Sequence, residues 1–97
     1  MTANDLYENA LALIAEEDSS VYSAFAVPLI NSLIADTYIT NNTIRVYNNK
    51  EPLDAIPVIS ELTDELPCED TLVSAALPYG LASKLLIDDV DLNRMVF

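Results

Sequence analysis

Ninety-seven residues, sixteen acidic and four basic, give this chain a net charge of −12, and 52% of it is hydrophobic. That length allows one domain with a modest core, while a single cysteine and no histidine exclude an internal disulfide and an imidazole for metal or proton work. The four basic residues, Arg45, Lys50, Lys84 and Arg94, are scattered and make no patch for a phosphate backbone, and the apolar content is too high for an acidic disordered chain. More apolar surface is available than a small unstapled core hides, which favours a partner or self-assembly. No basic region precedes the first apolar stretch, so a secretory signal is not expected, and no apolar run approaches the roughly 20 residues of a membrane span. Without a secretory route the sequon Asn41-Asn42-Thr43 carries no meaning, and the lone Cys68 suits a reducing cytoplasm.

The first helix is capped by Thr2 or Asn4. Asp5 and Glu8 lie in its first turns, and Leu6, Ala10, Leu13 and Ile14 recur at helical spacing, widened by Tyr7 and Leu11. The acids Glu16, Glu17 and Asp18 oppose a helix C-terminus and end it by about Glu17. Ser19 or Ser20 opens a second helical stretch whose apolar face runs through Tyr22, Phe25, Leu29 and Leu33. Pro28 inside it predicts a kink, or else a helix that starts near Pro28; one kinked helix ending near Asp36 to Tyr38 is the preferred reading.

Thr43-Ile44-Arg45-Val46-Tyr47 alternates and is rich in β-branched residues, so it reads as a strand. Asn48-Asn49-Lys50 signals a turn, and Ile56-Pro57-Val58-Ile59 reads as a short return strand at an edge. Residues 41–60 are thus expected to form a short β-hairpin or a loop excursion. A third helix opens at Leu66-Pro67, with Glu69 and Asp70 at its positive end, and continues through Leu72, Val73, Leu77, Leu81 and Leu85. Asp88-Asp89 is expected to break it, and Asp89 to cap a final two-turn helix through Leu92, Met95 and Val96. The expected fold is mainly α, a small bundle of about four helices in a single domain over residues 1–97.

No candidate chemistry survives this pass. Asp89-Val90-Asp91-Leu92-Asn93 begins like a calcium loop, but Arg94 stands where glycine is required, and a helix cap explains the acids. The acids Glu61, Asp64, Glu65, Glu69 and Asp70 lack histidine, a glycine-rich loop or a cationic companion for hydrolysis. Cys68 has no base to activate it, and Glu69 and Asp70 raise its pKa. The five tyrosines read as packing or interface residues. Neither an enzyme nor a cofactor is expected. The remaining anomaly is Pro78 with Gly80, the chain's only glycine, inside an apolar helical run, where proline costs about 3 kcal/mol and glycine about 1. A structural kink with a close helix–helix approach at Gly80 accounts for both.

Two segments carry a family resemblance. Thr2-Ala3-Asn4-Asp5-Leu6-Tyr7 followed by Ala10-Leu11-Ala12-Leu13-Ile14 and Glu16, and Leu66-Pro67 with Glu69 followed by Ala76-Leu77-Pro78-Tyr79-Gly80-Leu81-Ala82 and Leu85, resemble the head–tail connector (adaptor, or head-completion) proteins of tailed bacteriophages. The resemblance covers about half of the chain. It implies a helical bundle made in the host bacterial cytoplasm and assembled in the virion neck as a ring, typically twelvefold. Such a ring docks on the portal protein, receives the tail or a tail-completion protein, and lets double-stranded DNA pass without specific binding and without a membrane. Terminal segments and an extended loop make neighbour contacts in that family, which points here to Ile44, Val46 and Tyr47 in the excursion and to Leu92, Met95 and Phe97 at the end. The reading from another class is an acidic DNA-mimic inhibitor of a host nucleic-acid-binding enzyme, whose acids should line one face.

Overall fold

In a computed structural model, which describes the backbone of residues 1–96 and the side chains of residues 1–87, the chain forms five helices. They are α1 (Ala3–Leu13), α2 (Ser23–Asp36), α3 (Tyr38–Tyr47), α4 (Asp70–Ala75) and α5 (Leu77–Val96). Thr2 caps α1 as expected: its side chain accepts from Asp5 N while Asp5 Oδ2 accepts from Thr2 N, a capping box with aspartate in the third helical position. The first two helical N–H groups, of Ala3 and Asn4, donate to the carbonyls of Asp64 and Leu62 at 2.8 Å each, so a distant loop satisfies donors the helix itself leaves open.

Helix α1 stops at Leu13, a turn before the acids. The stop is a pair of bonds: Ala15 N reaches Ala12 O, and Glu16 N reaches Leu11 O at 2.9 Å, with Ala15 left-handed at φ 57°. Glycine tolerates that conformation and alanine is strained there, so Ala15→Gly is expected to stabilise the fold by about 0.5–1 kcal/mol, read as a raised thermal midpoint. Helix α2 runs unbroken through Pro28, which is solvent-exposed, as is Ala24, whose carbonyl the proline leaves without its helical donor.

The strand reading of Thr43–Tyr47 is overturned: these residues lie in α3, and among the described residues the only β pairing is an isolated antiparallel bridge between Thr2 and Glu65. Alternation over five residues was the weaker pattern. Helical spacing gathers Tyr38, Asn41, Asn42 and Arg45 on one side, where all four bond to the following loop, and this tertiary demand overrides β propensity. The turn signal at Asn48-Asn49 holds. Asn49 is left-handed at φ 63°, Asn49 N bonds Val46 O, and Lys50 N bonds Arg45 O at 2.8 Å, closing α3. The return strand at 56–59 is also absent; the loop alternative describes residues 48–69.

The third expected helix divides at Ala76 (φ −120°, ψ −38°) into α4 and α5. Pro78 therefore occupies the first turn of α5, where no helical N–H is needed, and its cost largely disappears. The kink expected at Pro78 and Gly80 is thus a break between two helices placed one turn earlier. The break expected at Asp88-Asp89 does not occur, since α5 continues to Val96. Helix α5 packs against α1, α2 and α4, and α3 packs against α2. Among the described residues Tyr7, Leu6, Ile30, Leu77, Leu81 and Leu85 are the largest fully buried side chains, so α1, α2 and α5 supply the centre of the core.

Candidate interface

Helix α3 is polar inside and apolar outside. On its inner side Asn42 clamps one residue, its Oδ1 accepting from Leu53 N at 2.8 Å and its Nδ2 donating to Leu53 O at 3.2 Å. Tyr38 OH also donates to Leu53 O, and Arg45 Nε donates to Glu51 O at 2.7 Å. Asn41, only 3% exposed, accepts from Glu69 N at 2.7 Å. Asn31 of α2 repeats the two-way clamp on Ile59, at 2.8 and 3.0 Å, and Ile59 inserts into the core. Farther along, Asp64 Oδ2 accepts from Ser60 N at 2.7 Å and Glu61 N at 3.1 Å. The stretch between α3 and α4 is therefore a strap fixed at successive points, its backbone groups answered by side-chain amides in place of a sheet.

With Tyr38, Asn41, Asn42 and Arg45 engaged on the inner side, α3 presents Ile39 (79% exposed), Val46 (57%) and Tyr47 (85%) outward beside Thr40 and Thr43, and Ile56 and Val58 of the strap are exposed as well. Ile39, Thr43 and Val46 recur at helical spacing and line a shallow groove with Asn42. Of the residues expected at an interface, Val46 and Tyr47 are on this face, whereas Ile44 is half-buried and packs against the core. Leu92, Met95 and Phe97 lie outside the described side chains. Ile39 was missed because Thr43–Tyr47 was read as a strand and Ile39 fell between it and the expected end of the second helix near Asp36 to Tyr38.

A second apolar surface lies elsewhere. Asn9, Ala12 and Leu13 of α1 form a groove with Ser74, Pro78 and Tyr79 at the α4–α5 junction, and it shares no residue with the α3 groove. Tyr79 is 66% exposed, and Leu86, two turns on along the same side of α5, is exposed too. The acids Glu16, Glu17 and Asp18 follow directly on from this groove.

The suspected acidic cluster does not converge on a ligand. Asp64 is spent on its own turn, and Glu69 pairs with Lys50, whose Nζ lies 3.0 Å from Oε1 and 3.1 Å from Oε2. Among the described residues no group of three His, Cys, Asp or Glu is placed to hold a metal ion. No described helix is long and apolar enough to cross a membrane.

Hydrogen bonds from backbone N–H groups hold the Asp5 and Asp64 carboxyls below their usual pKa, and Lys50 does the same for Glu69. A depressed carboxyl stabilises the fold above its unfolded pKa and loses that contribution as pH falls through the folded one. Asp64→Ala is accordingly expected to lower the melting temperature at pH 7, with the gap to the wild type shrinking below about pH 4. A gap unchanged at pH 2 would remove the carboxylate from the account.

Burial, and then Glu69, pushes the Cys68 thiol up to about 11 from 9.0. At pH 8 it should therefore alkylate about a hundredfold more slowly than a free cysteine, measurable by mass after timed iodoacetamide treatment.

Comparisons with protein-family models, with curated proteins and with solved structures each return no match.

Proposed function

We propose that the chain is a structural subunit of a bacteriophage neck, a ring-forming head–tail connector that docks on the portal and extends the DNA channel to the tail. The observation that carries this reading is α3, a helix that commits Tyr38, Asn42 and Arg45 to the strap and leaves Ile39, Val46 and Tyr47 to solvent. An exposed apolar helix face on a small domain is a protein-contact surface. The two segments that resemble the connector family fold as one unit: the first is α1, the second spans the α4–α5 junction, and α1 packs on α5. A net charge of −12 suits a channel wall that must not grip passing DNA.

The DNA-mimic alternative is less favoured. It gives no role to the apolar face of α3, and several acids are engaged locally, with Asp5 in a cap, Asp18 and Asp64 in turns and Glu69 in an ion pair. The test is imaging of the virion neck together with co-purification of the chain with a portal ring. A layer of this chain between capsid and tail is the expected result. A chain missing from the neck, or one that binds a host nuclease and ignores the portal, would overturn the proposal.

A further inference from the structure

The helical body and the strap are held by different means. Helices α1, α2 and α4 pack on α5, and among the described residues the largest fully buried side chains come from α1, α2 and α5. Residues 38–69 add little to that core: Ile59 and Leu66 are their buried apolar side chains, with Ile44, Leu62 and Cys68 partly buried against it. This stretch is held instead by bonds between side-chain amides and backbone, pairing Asn31 with Ile59, Asn42 with Leu53 and Asn41 with Glu69. Helix α3 depends on the strap in turn. Ten residues are too few for a helix to stand alone in water, and no side chain caps its N-terminus. The two ends of the strap meet in one ion pair, between Lys50 and Glu69, and Glu69 is only 8% exposed. A carboxylate so buried depends on its countercharge.

We infer that residues 38–69 open and close as one unit on the helical body, latched by Lys50 and Glu69, so that the α3 face exists only while the strap is closed. The unit reaches a remote point of the chain. The N–H groups of Ala3 and Asn4 donate to strap carbonyls, and Leu66 N donates to Met1 O, so these bonds break when the strap leaves. The rest of α1 stays packed on α5. A neighbour seated on the α3 face would hold the unit shut, because a ligand that binds one state shifts the population toward it. That use rests on the connector reading, whereas the opening itself does not.

The test is native-state hydrogen exchange of the full chain, followed amide by amide by NMR in low concentrations of guanidinium. The amides of Leu53, Ile59, Leu66 and Glu69 should converge on one opening free energy, below that of Ile30 and Leu85 in the body. Ala3 and Asn4 should be protected no better than this group. Two substitutions then act in opposite ways. Asn42→Ala, which removes the clamp on Leu53, should speed exchange about tenfold at Ile59 and Glu69 as well as at Leu53. Leu81→Val, in the body, should speed Ile30 and Leu85 several-fold and leave the strap amides unchanged, because the open state keeps the body intact. Lys50→Met should speed the strap group at least as much as Asn42→Ala.

Strap amides that exchange only together with Ile30 and Leu85 overturn the inference. So does Asn42→Ala speeding Leu53 alone, which would mean piecemeal fraying. An Asn42→Ala chain that unfolds outright does the same, since loss of the strap should leave the body standing. Unchanged exchange in Lys50→Met removes the latch. A portal ring that slows the strap group supports this inference and the connector reading together. A chain that shows the common opening and ignores the portal supports the inference and removes the connector reading.

Discussion

Gly80→Val should cost the protein about 1–3 kcal/mol, the range for overpacking a filled site, and lower its thermal midpoint by roughly 5–20 °C. A Cβ added at Gly80 would lie 2.8 Å from Leu33 Cδ1 and 3.5 Å from Cδ2. Leu33 is itself buried, so its tip can give way to one added carbon but not to a branched side chain. Because α5 is the helix on which α1, α2 and α4 all pack, displacing α2 there loosens the core as a whole. Gly80→Ala is the informative contrast. It gains about 1 kcal/mol of helix propensity and meets only the end of one flexible side chain, so it should fall within about 1 kcal/mol of the wild type. Trimming the opposing residue gives the sharper measurement. Leu33→Ala alone should cost about 2–5 kcal/mol, whereas in the Gly80→Val background it should cost clearly less, because the new methyl groups fill the space vacated. Strict additivity of the two changes would show that Gly80 does not abut Leu33.

This contact was half legible in the sequence. A lone glycine in an apolar helical run signals a close approach, and that reading needs no partner to be named. Pro78 was a different matter. Read as part of one long helix it demanded a kink, yet a break at Ala76 places it in a first turn, where its missing N–H costs nothing. Local patterning cannot choose between a bent helix and two helices, because the apolar face is continuous in either case. Helix α1 was legible because cap, period and burial agree there, and α2 was legible from its apolar period alone, since it starts at Ser23 instead of Ser19 or Ser20 and has no side-chain cap bond. Helix α3 was not, because its buried side is made of asparagines, a tyrosine and an arginine, and no hydrophobic pattern marks such a side. Val46 and Tyr47 could be named as contact residues from the resemblance, but Ile39 became visible only once the helix was known.

The least legible residue is also a sensitive one. Asn41 stood in the sequence as part of a sequon, and the structure makes it the anchor between α3 and the start of α4. Its Oδ1 accepts from Glu69 N in a buried setting, and Glu69 is the residue that precedes the first turn of α4. Asn41→Ala leaves that N–H without an acceptor where water is excluded, at a cost of about 1–3 kcal/mol. The expected result is a midpoint lowered by roughly 5–20 °C, with faster hydrogen exchange at the Glu69 amide. Asn41→Asp separates the lost bond from the altered charge. It keeps the acceptor but buries a carboxylate close to the Glu69 pair, so at pH 7 it should also be destabilising. Burial raises the pKa of the new carboxyl above its unfolded value, so the charge part of its penalty relative to the wild type at the same pH should shrink as pH falls through that raised pKa and be gone by about pH 4. The alanine variant has no such group, and its penalty should not recover. Equal recovery in both variants would mean that the acid response belongs to Glu69 and Lys50, with Asn41 contributing only the space it fills.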